Sequence, residues 1–359
     1  MSLSQKILDG LIYQNVFIDR YGRSAAQRIL KLLLKLDPII ERELLDALDN
    51  LNVYSLTLSQ IEAALEPINE LYSTQLEKSF SELQSELEEF SSTLNEKQYS
   101  LFTALIPVEI LSQIVFVAAS ESIIAITAAE KAFQGRLLSE WAAKLAETSL
   151  NKIVQTVYSG YVEGLTNQQI ARKIMGTKKN KYKDGILEIN RKNVNSIVRT
   201  AVSHYASTTR AELFKENEEY IKGQVWCSTL DTRTTKICIA RDGKEYTLTG
   251  KPIGHELPYL GGAGKAHFCC RSTMVPILKS WKDMGFDFKE LKPSTRASMD
   301  GQVPEDTKYS DWLQRQSFER QVQVLGKERA KLLQDGVTVE KMFTDNGEFL
   351  TLEQLKQIL

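Results

Sequence analysis

Histidine is scarce in this chain, with three in 359 residues. Most general acid–base schemes and many metal sites use imidazole, so few catalytic designs are open to it. Excess charge of either sign is also missing. Lys and Arg number 45 against 46 Asp and Glu, a formal net charge of −1, which excludes a uniformly basic nucleic-acid coat but leaves room for a local basic patch. Proline is rare, at 8 residues, and 25% of positions are charged against 42% hydrophobic; that is a globular composition, not a disordered one. No long hydrophobic run exists. The most apolar stretch, 111–129, is interrupted by Ser112, Gln113, Ser120, Glu121 and Ser122, whereas a membrane span needs about 20 largely apolar residues. It is expected to form a buried helix pair, and no membrane is expected among the partners. The N-terminal MSLSQKILDG lacks the basic start, apolar run and small-residue cleavage site of a signal peptide, so a soluble chain, cytoplasmic at synthesis, is expected. No Gly-rich loop ending in GK[ST] is present, which excludes a P-loop ATPase. His255-Glu256 opens like a zincin motif but has no second His four residues on, so that metalloprotease reading fails.

What is present is unevenly spread. Residues 1–240 hold three prolines, Pro38, Pro67 and Pro107, whereas 243–264 hold six glycines and 252–304 hold five prolines. A helical N-terminal part therefore precedes a loop-rich α+β part. The clearest periodicity runs through Leu76, Phe80, Leu83, Leu87, Phe90 and Leu94, spaced alternately four and three apart, with Glu and Ser on the other face. It predicts a long helix, either in a bundle or as an oligomerisation arm. Pro67 is expected to kink that helix or to sit in the first turn of its second half. A further helical region is read over 122–164. Thr166 with Gln169 forms a capping box, Leu165 staples onto Ile170, and Gly176 stops the short helix between them. Residues 193–218 read as another helix, with His204 inside it. Near the end, Thr351 with Gln354, flanked by Leu350 and Leu355, predicts a helix over 351–359. Trp312, Leu313, Phe318, Val322 and Leu325 form the apolar face of an earlier one.

Between 172 and 192, eight Lys/Arg face only Asp184 and Glu188. The cluster is a solvated loop or a phosphate contact; Lys178, Lys179, Lys181 and Lys183 are the candidate DNA-binding residues. A single aromatic residue, Tyr182, gives no base-stacking pattern.

All four cysteines fall between 227 and 270. In a reducing compartment such clustering points to metal or packing before disulfides. Residues 224–230 read as a strand. A turn capped by Asp231 leads into a helical turn at Cys238, and Asp242-Gly243 reads as a hairpin between 239–240 and 246–248. Residues 273–277 read as a closing strand. Cys227, Cys238, His267 and Cys270 supply four soft ligands of the kind zinc prefers, so one structural zinc ion is the candidate cofactor. A packed, metal-free Cys/His cluster is the competing reading, because no CxxC pairs with another CxxC.

The stretch 226–276 resembles the Mu F-like domain of tailed-phage minor head, or head morphogenesis, proteins. The matching features are Asp231-x-Arg233-Thr234, Cys238, Asp242-Gly243-Lys244 and His267-x-x-Cys270-Arg271. The Gly164-Leu-Thr helix and Arg199-Thr200-Ala201 are similar to that family too. So are Ser294 to Gly301, Tyr309-Ser-Asp-Trp-Leu313 and Leu325-Gly-Lys-Glu-Arg329. Ser272 stands where the family often has a further cysteine. Asp231, Arg233, Thr234, Asp242, Gly243 and Arg271 are read as the structural motif.

The expected fold is α+β and predominantly α-helical: an N-terminal helical bundle over 1–130, a small α+β Mu F-like module over 131–279, and a helical C-terminal extension over 280–359. The resemblance implies a structural, non-enzymatic virion protein, few in copy number and bound at the portal inside the head. Its implied partners are the portal protein, with major capsid or scaffold protein and packaged DNA as further candidates. Its implied work is head assembly and genome retention or ejection. The alternative is a zinc-dependent nucleic-acid-binding module or nuclease. A module carrying a toxin is a third class, and no spare domain with a convincing catalytic pattern remains for it.

Overall fold

The structure, a computed structural model, describes residues 3–52, 56–287 and 295–358. Ser294, the first residue of one family motif, lies outside them, as does Leu359. The helices in chain order are α1 (Leu3–Leu34), α2 (Asp37–Asp49), α3 (Leu58–Ala64), α4 (Glu66–Leu105), α5 (Val108–Leu111), α6 (Glu121–Glu130), α7 (Leu138–Val162), α8 (Asn167–Met175) and α9 (Ile186–Glu216). The strands β1 (Ile221–Cys227), β2 (Glu245–Tyr246), β3 (Pro252–Ile253) and β4 (Thr273–Leu278) follow, with α10 (Lys236–Arg241) between β1 and β2. The hairpin β5 (Thr295–Ser298) and β6 (Gly301–Pro304) then leads to α11 (Tyr309–Gln314), α12 (Phe318–Leu325), α13 (Lys327–Gln334) and α14 (Leu352–Ile358). The fold is predominantly helical α+β, as the sequence predicts.

The chain forms two compact units, each discontinuous in sequence. One gathers Met1–Asp19, Phe90–Ala128 and Ser203–Leu359; the other gathers Arg20–Glu89 and Ala129–Val202. Helices α1, α4 and α9 contribute residues to both.

Among the described residues, the regular elements of the second unit are all helices. In it α8 packs on α2 and α7, and α7 packs on α3. Ile61, Leu65 and Ile68 are buried at the junction of α3 and α4, and Pro67 occupies the first turn of α4, where its missing N–H costs nothing. Along α4 the predicted seam is buried within this chain, from Leu76 and Leu87 at 0% exposure to Phe90 at 8%, which is the bundle reading. Helix α8 starts at the predicted capping box: Thr166 Oγ1 accepts from Gln169 N–H, and Gln169 Oε1 accepts from Thr166 N–H. It ends at Gly176, with φ +94°.

The first unit carries the sheet, ordered β3-β2-β1-β4 and antiparallel throughout, with Trp226 opposite Met274 and Gln224 opposite Tyr246. Its core joins Ile7 and Leu11 of α1, Phe102 of α4 and Phe214 of α9 to Trp226, Tyr246 and Met274 of the sheet. A second core gathers Leu230, Tyr309, Trp312, Leu313 and Leu325 with Met342 and Leu355. Helix α14 begins at the predicted box, Thr351 N–H to Gln354 Oε1 at 2.8 Å and Gln354 N–H to Thr351 Oγ1 at 3.2 Å.

Four expectations are corrected. The 111–129 stretch is not a helix pair, because residues 115–120 between α5 and α6 carry no regular secondary structure. Two buried amide side chains hold it there: Asn95 pairs with both the N–H and the C=O of Ala119, and Asn217 does the same to Val117. These side chains take over the bonds a helix would have made. The 122–164 helix is interrupted between α6 and α7, where Gln134 (φ +48°) and Gly135 (φ +82°) make a tight turn bridged by Phe133 and Arg136. Asp242-Gly243 is no hairpin turn, since residues 239–240 lie in α10, and the pair instead carries the chain from α10 into β2. The face from Trp312 to Leu325 belongs to two helices, because Ser317 Oγ accepts from Arg320 N–H and starts α12 afresh.

Candidate functional site

The loop after β1 is built around two buried aspartates. Asp231 accepts the Arg233 N–H at 3.0 Å and the Thr234 hydroxyl at 3.2 Å, the Asx-turn geometry that starts a turn without a helix. Arg271 then closes on it with both guanidinium nitrogens, at 2.6 and 2.8 Å. Burial opposes ionisation of Asp231, but Arg271 and the Arg233 N–H outweigh it and hold the carboxyl below the usual range. Arg233 itself is exposed and stands 3.7 Å away. The backbone C=O of Asp231 receives the Tyr309 hydroxyl at 2.7 Å, and that of Arg271 receives the Thr229 hydroxyl at 2.9 Å and the Asn15 amide.

Asp242 ties three distant segments together. One carboxylate oxygen accepts Ser228 N–H at 2.6 Å, the other accepts Tyr309 N–H at 2.7 Å, and Arg296 lies 3.4 Å away. Arg296, itself buried, donates to the backbone oxygens of Ser228 and Thr307. Gly243 (φ +74°) donates to Trp226 O while Trp226 N–H donates to Lys244 O, which seats the turn on β1.

Cys238 on α10, and His267 and Cys270 on the loop before β4, converge. Their ligand atoms all lie within 4.8 Å of one another, and they form the one such group of three or more His, Cys, Asp or Glu among the described residues. Cys238 Sγ is 3.2 Å from His267 Nε2 and 3.6 Å from Cys270 Sγ. Two thiolates on one tetrahedral zinc at about 2.3 Å sit about 3.8 Å apart, so the sulfur spacing suits a shared metal. His267 Nδ1 meets Phe268 O at 2.9 Å, which fixes the proton on Nδ1 and leaves Nε2 free to ligate. Gly264 N–H donates to Cys270 Sγ at 3.2 Å. The Cys238 and Cys270 sulfurs face each other, with His267 beside both. Cys270 is therefore pushed down, by Cys238 first and His267 next, and Cys238 is pushed up by the same contact and by burial. The Thr235 hydroxyl lies 2.9 Å from His267 Nε2 and completes a hydrogen-bonded network without metal.

Of the four ligands read from the sequence, the structure brings together three. Cys227, at the end of β1, is buried but lies outside this group, and burial pushes its thiol up to about 11. The other two histidines are placed elsewhere. His204 is buried in α9, and His255 is held between Glu245 O and Leu257 N–H. Sequence reasoning missed Thr235, the Gly264 N–H and the span of Asp242, because each acts through a partner far along the chain.

The basic stretch has its own construction. Gly176 and Gly185 pinch its base so closely that a Cβ on Gly185 would lie 2.4 Å from Gly176 N. Asp184 holds the loop from within by accepting from Thr177 N–H, the Thr177 hydroxyl and Asn180 Nδ2, bonds that hold its carboxyl well below the usual range. Lys178, Lys179, Lys181 and Lys183 are all exposed around it. Lys173 is exposed but paired with Glu163, and Arg191 is buried against Asp37.

Residues 151–275 match the family model described as phage Mu protein F like protein. The chain carries a Mu F-like domain. Neither a curated protein nor a solved structure matches it. The match spans α7 from its middle, α8, α9, β1 and the Cys/His loop, and ends inside β4. Among the described residues no helix is long and apolar enough to cross a membrane.

Proposed function

We propose that this protein is a structural minor head protein of a tailed phage, bound at the portal inside the head, where it acts in head assembly and in genome retention or ejection. The observation that carries the reading is the Mu F-like match over 151–275, which supports a head-morphogenesis role. The Asp231–Arg271 and Asp242–Arg296 pairs stiffen a loop-rich module with a small core, as a scaffold for protein contacts requires. The protein is read as non-enzymatic: His204 sits in a buried helix, His255 on backbone partners and His267 in the cysteine group. The exposed lysines around Asp184 are the surface for packaged DNA, through phosphates and without sequence preference. Virion localisation follows, after synthesis in the host cytoplasm. The test is co-purification of the full chain with the portal protein of the same phage. A stable complex supports the reading, and independent elution at all salt concentrations contradicts it.

One observation favours a second reading. Cys238, His267 and Cys270 make a three-ligand set, and zinc held by three protein ligands keeps a fourth position open, as in catalytic sites. With a zinc ion these residues would hold a Lewis acid beside the Thr235 hydroxyl. Zinc-dependent cleavage of DNA or RNA by the purified chain, lost in His267→Ala, would establish a nuclease in place of a purely structural protein.

A further inference from the structure

Arg210 of α9 is 2% exposed, and its Nε and Nη2 are buried with no hydrogen-bond partner. A guanidinium taken out of water without a counter-charge is costly even after relaxation, and buried arginines are normally paired. The guanidinium lines a cavity of about 10 Å³ shared with Ser207, Gln224, Tyr259 and Lys265, and no acidic residue is among its walls. The group of opposite sign that interacts with Arg210 is Cys227, whose thiol burial keeps protonated at neutral pH.

The other wall comes from Tyr259, Gly261, Ala263 and Lys265 of a loop whose Leu260, Gly261, Gly262 and Gly264 have left-handed φ of +53°, +77°, +94° and +86°. The N–H groups of Gly262, Gly264 and Lys265 are donated to Tyr259 O, Cys270 Sγ and Gly262 O, so this loop closes the cavity and leaves the guanidinium as its free donor. The loop is fixed on α9 by the Ser207 hydroxyl, which donates to Ala263 O at 3.1 Å. A Cβ on Gly264 would lie 2.0 Å from Ser207 Oγ, so this approach requires glycine. The cavity has room for about one water-sized particle. That size rules out a nucleotide or a phosphodiester, and among anions leaves only a monatomic one.

We propose that the cavity between α9, β1 and the 260–265 loop binds a halide ion, chloride in the cell, held by the Arg210 guanidinium. The anion supplies the missing counter-charge and locks the glycine loop, whose Gly264 also donates to Cys270, onto the helix. It is a structural ion, distinct from the Cys238–His267–Cys270 group and independent of any portal role.

Thermal unfolding of the full chain in chloride and in gluconate at equal ionic strength tests this. A bound ion stabilises the fold in proportion to the logarithm of its concentration, and the expected Tm is higher in chloride by about 5 °C. Arg210→Met keeps the side-chain bulk and removes the charge, and its Tm should be the same in both salts. Crystals grown in bromide should show one anomalous peak against Arg210, a readout that needs no variant to fold. Equal Tm values for the unmodified protein in the two salts, a chloride shift that survives in Arg210→Met, or bromide crystals with an ordered Arg210 and no peak beside it would each overturn the proposal.

Discussion

Arg271 holds both carboxylate oxygens of Asp231, at 2.6 and 2.8 Å, across 40 residues of sequence. The two side chains are 16% and 11% exposed, so the pair is largely desolvated and its geometry is bidentate. It joins the turn after β1 to the loop that carries His267 and Cys270, and Tyr309 fastens the same turn to α11. Removing one partner strands the other charge. Asp231→Ala and Arg271→Ala should each lower stability by about 3 kcal/mol, and the double variant should lose less than the two together. Urea denaturation of the four proteins measures this.

The same pair gives the module a pH dependence. The Asp231 carboxyl sits below its usual value in the folded state, so the stability it contributes is complete above the unfolded value of about 4 and is lost as pH falls through the lower folded value. Stability measured from pH 6 downward should decline below about pH 4, and Asp231→Asn should flatten that decline. An identical acid limb in both proteins would remove Asp231 as its source.

Helix ends are legible in the sequence because their chemistry is local. Thr166 with Gln169 and Thr351 with Gln354 each bond three residues apart, within reach of any sequence reading. Asp242 misleads for the opposite reason. A following glycine marks a hairpin, but its carboxylate serves Ser228 and Tyr309, 14 and 67 residues away. Asn95 and Asn217 are hidden likewise: nothing local says that an asparagine will hold a non-helical segment 24 or 100 residues distant. Cys238, His267 and Cys270 are visible as residue types. Which cysteines share a point is settled by α10 and the loop before β4, so it takes the fold to separate Cys227 from the others.

The metal prediction follows from that separation. The full chain should bind about one zinc ion, with His267→Ala and Cys238→Ser abolishing binding and Cys227→Ser retaining it. Metal analysis after dialysis reads it out. No zinc in the unmodified protein would leave the group as the hydrogen-bonded network that Thr235 completes, and loss of zinc in Cys227→Ser would add a fourth ligand.

The seam of α4 is satisfied within one chain. Leu87 is fully buried, so Leu87→Ala should destabilise the fold by about 2–5 kcal/mol without changing the mass found by sedimentation. A change of oligomeric state would make the seam an interface.

DNA binding by the lysine loop has a salt signature. Affinity should fall steeply with salt, and replacing Lys178, Lys179, Lys181 and Lys183 by Ala should flatten the log–log slope by about 0.9 for each phosphate that is no longer neutralised. Gly185→Ala, which drives a Cβ into the Gly176 backbone, should reduce affinity by disturbing the loop while every charge remains. An unchanged slope in the fourfold variant would dismiss this surface.

The central claim is a place in the phage head, and the most direct measurement is the amount of this protein in purified, DNA-filled heads by quantitative mass spectrometry. Heads from the unmodified phage should contain it in a few copies beside the portal protein, and heads made with Asp231→Ala should contain less, in step with the lowered melting temperature of that variant. Heads that lack the protein altogether, while it accumulates free in the lysate, would contradict the account.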